Sequence, residues 1–362
     1  MSDARKFRLK HTSAPAPADT LRPPALPDPD GWFCLAFSHE LTPRRVLTRP
    51  LLGEEVVLYR TAGGRLRAVQ PHCPHLGAHL GAGGKVSGEN IVCPFHRFAF
   101  DPSGRCVRTG YGRKPPRADL VHHPVTEANG SVYVWRHALG ADPDWEVPNL
   151  YTPRSVAPSH HTFEVAGHPQ DLAENAFDFG HLTQLHGLMD FTIEGRPVPG
   201  EKTAVLKGSA RRPLLLGAGV RLSFNLMVIG LATFMIEMTF PKVRTSMHLV
   251  VHFTPVRPGR AHVRVGTAVD LDGLPFLGGP GVPVARLMSR LLTGVAQTWS
   301  CRDVSKDFAI WNHQLHTEHP RLAPGDGPIG LYRRWAQQFY TEPAAAEAHV
   351  EPPGDTATGS AR

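Results

Sequence analysis

Apolar residues between Trp32 and about Arg136 come in short runs broken by turn residues. GEEVVLYRT, then GRLRAV beyond Gly63-Gly64, then SVYVWRH beyond Asn129-Gly130 each read as one strand. Their spacing predicts a small antiparallel β-domain with two long loops inside it. A helical pattern takes over across residues 171–187. Residues 202–272 return to strands and include the hairpin MHLVVHF–TPVRPGR–AHVRVGTAV, with its turn at Pro258-Gly259. Beyond the Gly/Pro-rich stretch 273–283, the apolar positions Val284, Leu287, Met288, Leu291, Leu292, Val295 and Trp299 recur at spacings of mostly three and four. Val304, Phe308 and Trp311 continue that face of one long helix. The second half is therefore expected to be α+β, a sheet gripped by a C-terminal helix.

The same pattern divides the chain. Residues 1–30 read as an irregular Pro/Ala-rich arm, 31–147 as the β-domain, 148–342 as the second domain after a linker near Pro148–Pro158, and 343–362 as a disordered tail. The start, MSDARKFRLKHTSAPAPADT, has no apolar core and reads as neither a signal peptide nor an anchor. The most apolar stretch, Leu222 to Phe240, holds Asn225 and Glu237. A spanning helix needs roughly 20 nearly uninterrupted apolar residues, so buried sheet is expected there, and a cytoplasmic location for the protein.

Charge changes this picture little. The formal net charge is +7 with Lys and Arg spread along the chain, whereas nucleic-acid binding leaves a concentrated basic patch. An excess of positive charge favours encounter with acidic partners. Five cysteines make no disulfide framework. Cys34, Cys106 and Cys301 read as buried small hydrophobes; Cys73 and Cys93 keep different company.

HCPHLGAHLGAGGKVSGENIVCPFHRF holds Cys73-x-His75, seventeen intervening residues, then Cys93-x-x-His96. Two Cys and two His on paired loops suit a [2Fe–2S] centre in which His replaces Cys on one iron, which raises its potential. A structural zinc site takes the same four residues, but a zinc finger groups its Cys on one side and its His on the other; here each loop supplies one of each. His72 and His79 flank the motif and read as non-ligands.

Downstream, ENAFDFGHLTQLH places Glu174, Asp178, His181 and His186 together. On a helix Asp178 and His181 share a face. His181 and His186 stand about 140° apart around a regular helix, so convergence on one metal requires the helix to distort or end between them, which Gly187 allows. Two His and one carboxylate with open positions are the ligand set for non-haem Fe(II). For the third ligand the C-terminal helix offers Asp303 and Asp307, both on an apolar face where a carboxylate needs a partner. Spacing does not choose between them.

In order and spacing these motifs closely resemble the catalytic α-subunit of Rieske oxygenases, across most of residues 30–340. The resemblance implies a helix-grip second domain and a trimeric ring in which the cluster of one subunit faces the mononuclear iron of the next. It implies that Asp178 is the carboxylate bridging the two centres. Asp307, in DFAIW, matches the family's third iron ligand. CPHLGAHLGAGGKV, CPFH and the ending GDGPIGLYRRWAQQFY look most like the sterol-oxidising branch, which includes cholesterol 7-desaturases of the Neverland type and, more distantly, 3-ketosteroid 9α-hydroxylases. Two departures stand out: Arg97-Phe98 replaces the usual Gly-Trp after the second cluster His, and the membrane helix of animal members is missing.

The expected activity follows. With no dinucleotide or flavin motif in the chain, NAD(P)H electrons arrive through a separate ferredoxin or flavin reductase. The cluster at Cys73, His75, Cys93 and His96 stores them, and they pass by way of Asp178 to iron at His181, His186 and Asp307, where O2 is used to oxidise an apolar substrate. A sterol or steroid is expected, by C7-desaturation, hydroxylation or demethylation. The alternatives are an aromatic-ring hydroxylase or O-demethylase and, outside enzymes, a cluster-bearing lipid-binding or electron-carrier protein. Met227, Met235, Met238 and Met247 read as core, with a cavity lining as the alternative.

Overall fold

The computed structural model describes residues 26–149, 158–213, 219–243, 245–271 and 282–341. Most of the expected arm, most of the linker and the tail lie outside these described residues.

The first domain is built from β1 (Gly31–Phe37), β2 (Val46–Leu51), β3 (Glu54–Arg60), β4 (Leu66–Val69), β5 (Lys85–Ser87), β6 (Asn90–Val92), β7 (Ala99–Phe100), β8 (Cys106–Arg108), β9 (His122–His123), β10 (Val125–Ala128) and β11 (Ser131–Arg136). They form three small antiparallel sheets, β1-β11-β10, β2-β3-β4-β9 and β5-β6-β7-β8. Strand side chains alternate between faces, and β3 buries both. Val56 and Leu58 enter one core with Leu35 and Val132, while Val57 and Tyr59 enter another beneath the loops of Cys73 and Cys93. Each such side chain contributes about 1.5–3 kcal/mol on burial.

The second domain adds β12 (Ser159–Ala166), α1 (Pro169–Glu174), α2 (Phe179–Gln184), β13 (Met189–Ile193), β14 (Val198–Pro199), β15 (Thr203–Pro213), β16 (Gly219–Ile229), β17 (Thr233–Phe240), β18 (Thr245–Arg257), β19 (Arg260–Asp270), α3 (Val282–Trp311) and α4 (Ile329–Ala336). One antiparallel sheet runs β12-β19-β18-β17-β16-β15-β13, with β14 beside β15. The expected α+β class and the Pro258-Gly259 hairpin are both present, and Leu222–Phe240 is sheet. Sequence reading gave no element for 329–336; there α4 buries Ile329, Tyr332, Trp335 and Ala336.

The domains are joined by hydrogen bonds. Leu52 and Gly53 donate backbone N–H to Pro255 and Val256 (2.9 and 2.8 Å). His252, fully buried on β18, sits between Ser131 (3.0 Å) and Thr233 (2.9 Å). Burial pushes its imidazole down to about 3, so it is held neutral.

Three expectations need correction. Residues 171–187 are not one helix: the chain breaks over 175–178, between α1 and α2. Cys34 and Cys301 are buried, but Cys106 is part exposed at the sheet end. The third concerns α3, whose amphipathicity is inverted. Its inward side carries Ser289, Thr293, Gln297 and Ser300, all buried, while Leu287, Leu291 and Val295 are 59–68% exposed. β12 stops pairing with β19 at Thr267, and farther along the Val269 N–H goes to Thr293 Oγ1 (3.0 Å). Gln297 Nε2 donates to the Val265 carbonyl (3.0 Å). The sheet thus takes polar helix side chains where it offers backbone groups. Among the described residues of α3, the apolar side chains laid into the cores are Ala296, Cys301 and, over the last turns, Val304, Phe308 and Trp311.

Candidate metal centres

The two cluster-type loops have the same local build. Cys73 N–H donates to the Ala78 carbonyl and Cys93 N–H to the Phe98 carbonyl, five residues on in each case and at 2.9 Å in both. In the first loop Gly84 leaves room for the Leu80 carbonyl, 2.1 Å from where a Cβ would sit. These turns bury both sulfurs, each cysteine being 2% exposed, and bring the His75 and His96 rings to 4.9 Å between centroids.

The four residues fit a metal cluster. Burial, and then the neighbouring Cys93, push the Cys73 thiol up to about 11, so a Cys73 thiolate is favoured here only against a bound cation. His96 Nδ1 is buried with no hydrogen-bond partner, the condition of a ligand atom without its metal. His79 instead pairs with Glu55 (3.0 Å) and takes no part. Arg97 has φ +57°, the left-handed conformation that glycine adopts without strain. Phe98 lies flat on His75, 4.2 Å between centroids and 10° between planes. The departure at Arg97-Phe98 therefore keeps the turn and the aromatic shelf.

The second site grows from the break between α1 and α2. Asp178 does not share a helix face with His181, as its spacing suggested; it caps α2, accepting the His181 N–H at Oδ1 (3.1 Å). Its own carbonyl accepts from His181 Nδ1 (2.5 Å), which fixes the tautomer and leaves Nε2 bare. After α2 the His186 N–H reaches back five residues to the His181 carbonyl (3.2 Å), one more than an α-helix allows. Gly187 then turns the chain at φ +68°. That wide turn brings the two rings to 5.1 Å between centroids.

From α3, Asp307 reaches in. Ligand atoms of His181, His186 and Asp307 lie within 4.8 Å of one another. Asn175, in the break, donates to Asp307 Oδ1 (3.2 Å). Asp303, one turn earlier, stands outside the set: it takes both arms of Arg212 (3.0 and 2.5 Å) and lies 3.4 Å from His186 Nδ1. Burial opposes its ionisation, but His186 and Arg212 hold its carboxyl well below the usual carboxylate range. Burial alone would also lower His186, yet Asp303 and Asp307 outweigh it and raise the imidazole to about 9. The pocket thus holds a proton where a cation fits. Two imidazoles and one buried carboxylate suit Fe(II).

These groups form the floor of a cavity of about 190 Å³, where one water needs roughly 10–15 Å³. Its walls are apolar, among them Leu182, Phe191, Phe224, Ile236, Met238 and Phe253. Met238 thus lines the cavity; Met247 is core, and Met227 and Met235 pack beside a separate one. Asn175, Arg212 and the outer role of Asp303 were missed by sequence reading. Asn175 had a signal, lying next to Glu174 in the acidic motif, whereas Arg212 ends a strand with nothing local to mark it.

A pair of Cys/His loops on one sheet, and a two-His, one-carboxylate set roofed by apolar walls on another, equip an iron-dependent oxidoreductase. Residues 31–118 match the model of the Rieske [2Fe-2S] domain, and 134–340 that of the 3-ketosteroid 9alpha-hydroxylase C-terminal domain. The chain belongs to the Rieske non-haem iron oxygenases with this C-terminal domain. It is 30% identical over 342 residues to a cholesterol 7-desaturase of Xenopus laevis, covering 86% of this chain and 72% of that one. It is 25% identical over 329 residues to the oxygenase component of a probable 3-ketosteroid-9-alpha-monooxygenase of Rhodococcus rhodochrous, covering 86% and 80%. Dicamba monooxygenase bound to dicamba shares the fold with a TM-score of 0.66 at 18% identity, covering 86% and 96%. Among the described residues no helix is long and apolar enough to cross a membrane.

Proposed function

We propose that the chain is the oxygenase component for a sterol or steroid, oxidised at an unactivated C–H bond. The observation that carries this reading is the cavity: apolar walls from one face of the second domain's sheet and from α3, with Asn175, His181, His186, Arg212, Asp303 and Asp307 as its polar lining. A rigid apolar body fills such a space, and one end meets the floor. The family's use of sterols and steroids by relatives of this chain supports the same class.

In this reading Cys73, His75, Cys93 and His96 hold the [2Fe–2S] cluster, and His181, His186 and Asp307 hold iron. When bound, the two groups supply one-electron storage and oxygen activation, driven by electrons from a separate reductase. The chain supplies the rest. The Asp178 carbonyl keeps the proton of His181 on Nδ1, Asp303 faces Nδ1 of His186, and Asn175 holds the far oxygen of Asp307. Leu182, Phe224 and Ile236 exclude water and orient the substrate. The Asp178 side chain is about one-third exposed, so its carboxylate is accessible to a neighbouring subunit of a homotrimer and serves as the bridge between centres. A cytoplasmic location completes the proposal.

The test is mass spectrometry of products from sterols, 3-ketosteroids and small aromatics, using iron-loaded protein, NADH and a surrogate reductase. A sterol or steroid that loses two hydrogens or gains one oxygen is the expected outcome. Turnover of aromatics alone would overturn the substrate class.

A further inference from the structure

We propose that the outward face of α3 docks on an anionic lipid bilayer, from which the apolar substrate enters the cavity. This rests on the reading of that cavity as taking an apolar molecule.

The face is unusual in composition and in position. Leu287, Met288, Leu291, Leu292 and Val295 are 40–68% exposed, and Trp299 follows at 36%. From Leu287 to Trp299 they cover about 18 Å of helix, an apolar stripe with Ser289, Thr293 and Gln297 buried behind it. A soluble helix lays its apolar side on its own core; this one has given that side to something else. Trp299 also lines the cavity, and Arg212 lies over its ring at 4.4 Å. The stripe therefore runs without a break into the wall of the site.

Charge selects the occupant. The helix carries Arg286, Arg290, Arg302 and Lys306 against two acids, Asp303 and Asp307. Asp303 pairs with Arg212 and with Lys306 (3.0 Å), and Asp307 faces the imidazoles, while Arg290 and Arg302 are exposed on the outer side. An apolar stripe flanked by cations, with no acid on its outer side, suits the boundary between anionic headgroups and acyl chains. A symmetric contact between two copies through this face would instead set the same cations against each other. The bilayer is also where an apolar substrate accumulates, so docking there puts the cavity wall beside its supply.

The experiment uses the full chain loaded with cluster and iron. Vesicles of phosphatidylcholine with phosphatidylglycerol, and of phosphatidylcholine alone, are mixed with it and sedimented. The protein is expected to sediment with the anionic vesicles, less as salt rises, and only weakly with the neutral ones. Leu291→Glu with Val295→Glu, both on the surface, should cut that binding by at least about tenfold and leave the cluster spectrum unchanged. Failure of the unchanged protein to bind vesicles would overturn the proposal, as would a double variant that binds equally well. So would a self-association of the lipid-free protein, seen by light scattering, that the double variant abolishes, since the face would then belong to a second copy. Substrate delivered on cyclodextrin separates the two readings. Absent turnover of every sterol and steroid sinks the substrate class, while vesicle binding is read independently of it.

Discussion

Arg212 grips Asp303 through two parallel hydrogen bonds, 3.0 and 2.5 Å long, beside the iron-type site. Such forked pairing fixes direction as well as charge. It aims the Asp303 carboxylate at Nδ1 of His186, whose other nitrogen faces Asp307 at 3.4 Å. Outer partners of this kind orient a ligand ring and raise its basicity.

Asp303→Asn should therefore keep the cluster's visible spectrum but weaken iron retention by roughly 10–100-fold. Competition with a chelator measures this directly. Iron held as tightly as in the unchanged protein would remove Asp303 from the site's support.

His181→Ala should empty the mononuclear site and abolish turnover, with the cluster spectrum intact. Metal analysis beside absorbance gives both readings on one sample. Loss of cluster colour would mean that the two sites do not form independently.

Asp178→Asn is the informative change for the proposed bridge, because Asn caps a helix as well as Asp and the backbone carbonyl that holds His181 is untouched. Both metals should remain and turnover should collapse. Steady turnover with Asn at 178 would show that the negative charge is not needed between centres.

Arg97→Gly should stabilise the first domain by about 0.5–1 kcal/mol. The left-handed backbone at 97 costs arginine more than glycine, and the gain is reduced by the freedom glycine adds to the unfolded chain. Thermal loss of cluster absorbance reports it.

His252 gives the pH dependence. Its folded value of about 3 lies below the unfolded value of about 6.5, so below pH 6.5 the unfolded chain binds the extra proton. Stability from this group is whole above pH 6.5 and falls as pH drops toward 3, by up to about 1.4 kcal/mol per unit. His252→Asn should flatten that slope in denaturant unfolding measured between pH 7 and pH 5.

The cluster loops were readable in sequence because all four residues lie within one short segment, where spacing and proline turns constrain them. Strands were readable from alternation and turns. The second site was harder, since its parts come from 175–186 and from α3. Asp303 and Asp307 are one turn apart and equivalent by periodicity; what separates them is Arg212, ninety-one residues from Asp303 along the chain. The direction in which α3 faces was misread for a plain reason. Periodicity reports that a helix has an apolar side, and says nothing of whether its own sheet or another surface receives it.

Glu174, at the end of α1, is forked by Arg333 of α4, with Nε 2.5 Å and one terminal nitrogen 2.9 Å from the carboxylate. The short break that carries Asn175 and Asp178 is thus pinned by one of the last helices to be made. During synthesis the loops of Cys73 and Cys93 are complete while most of the chain is still to come. The other site has to wait for both Asp307 and Arg333 to emerge. Chain order alone therefore allows the Cys/His loops to form early and completes the His181, His186 and Asp307 set last.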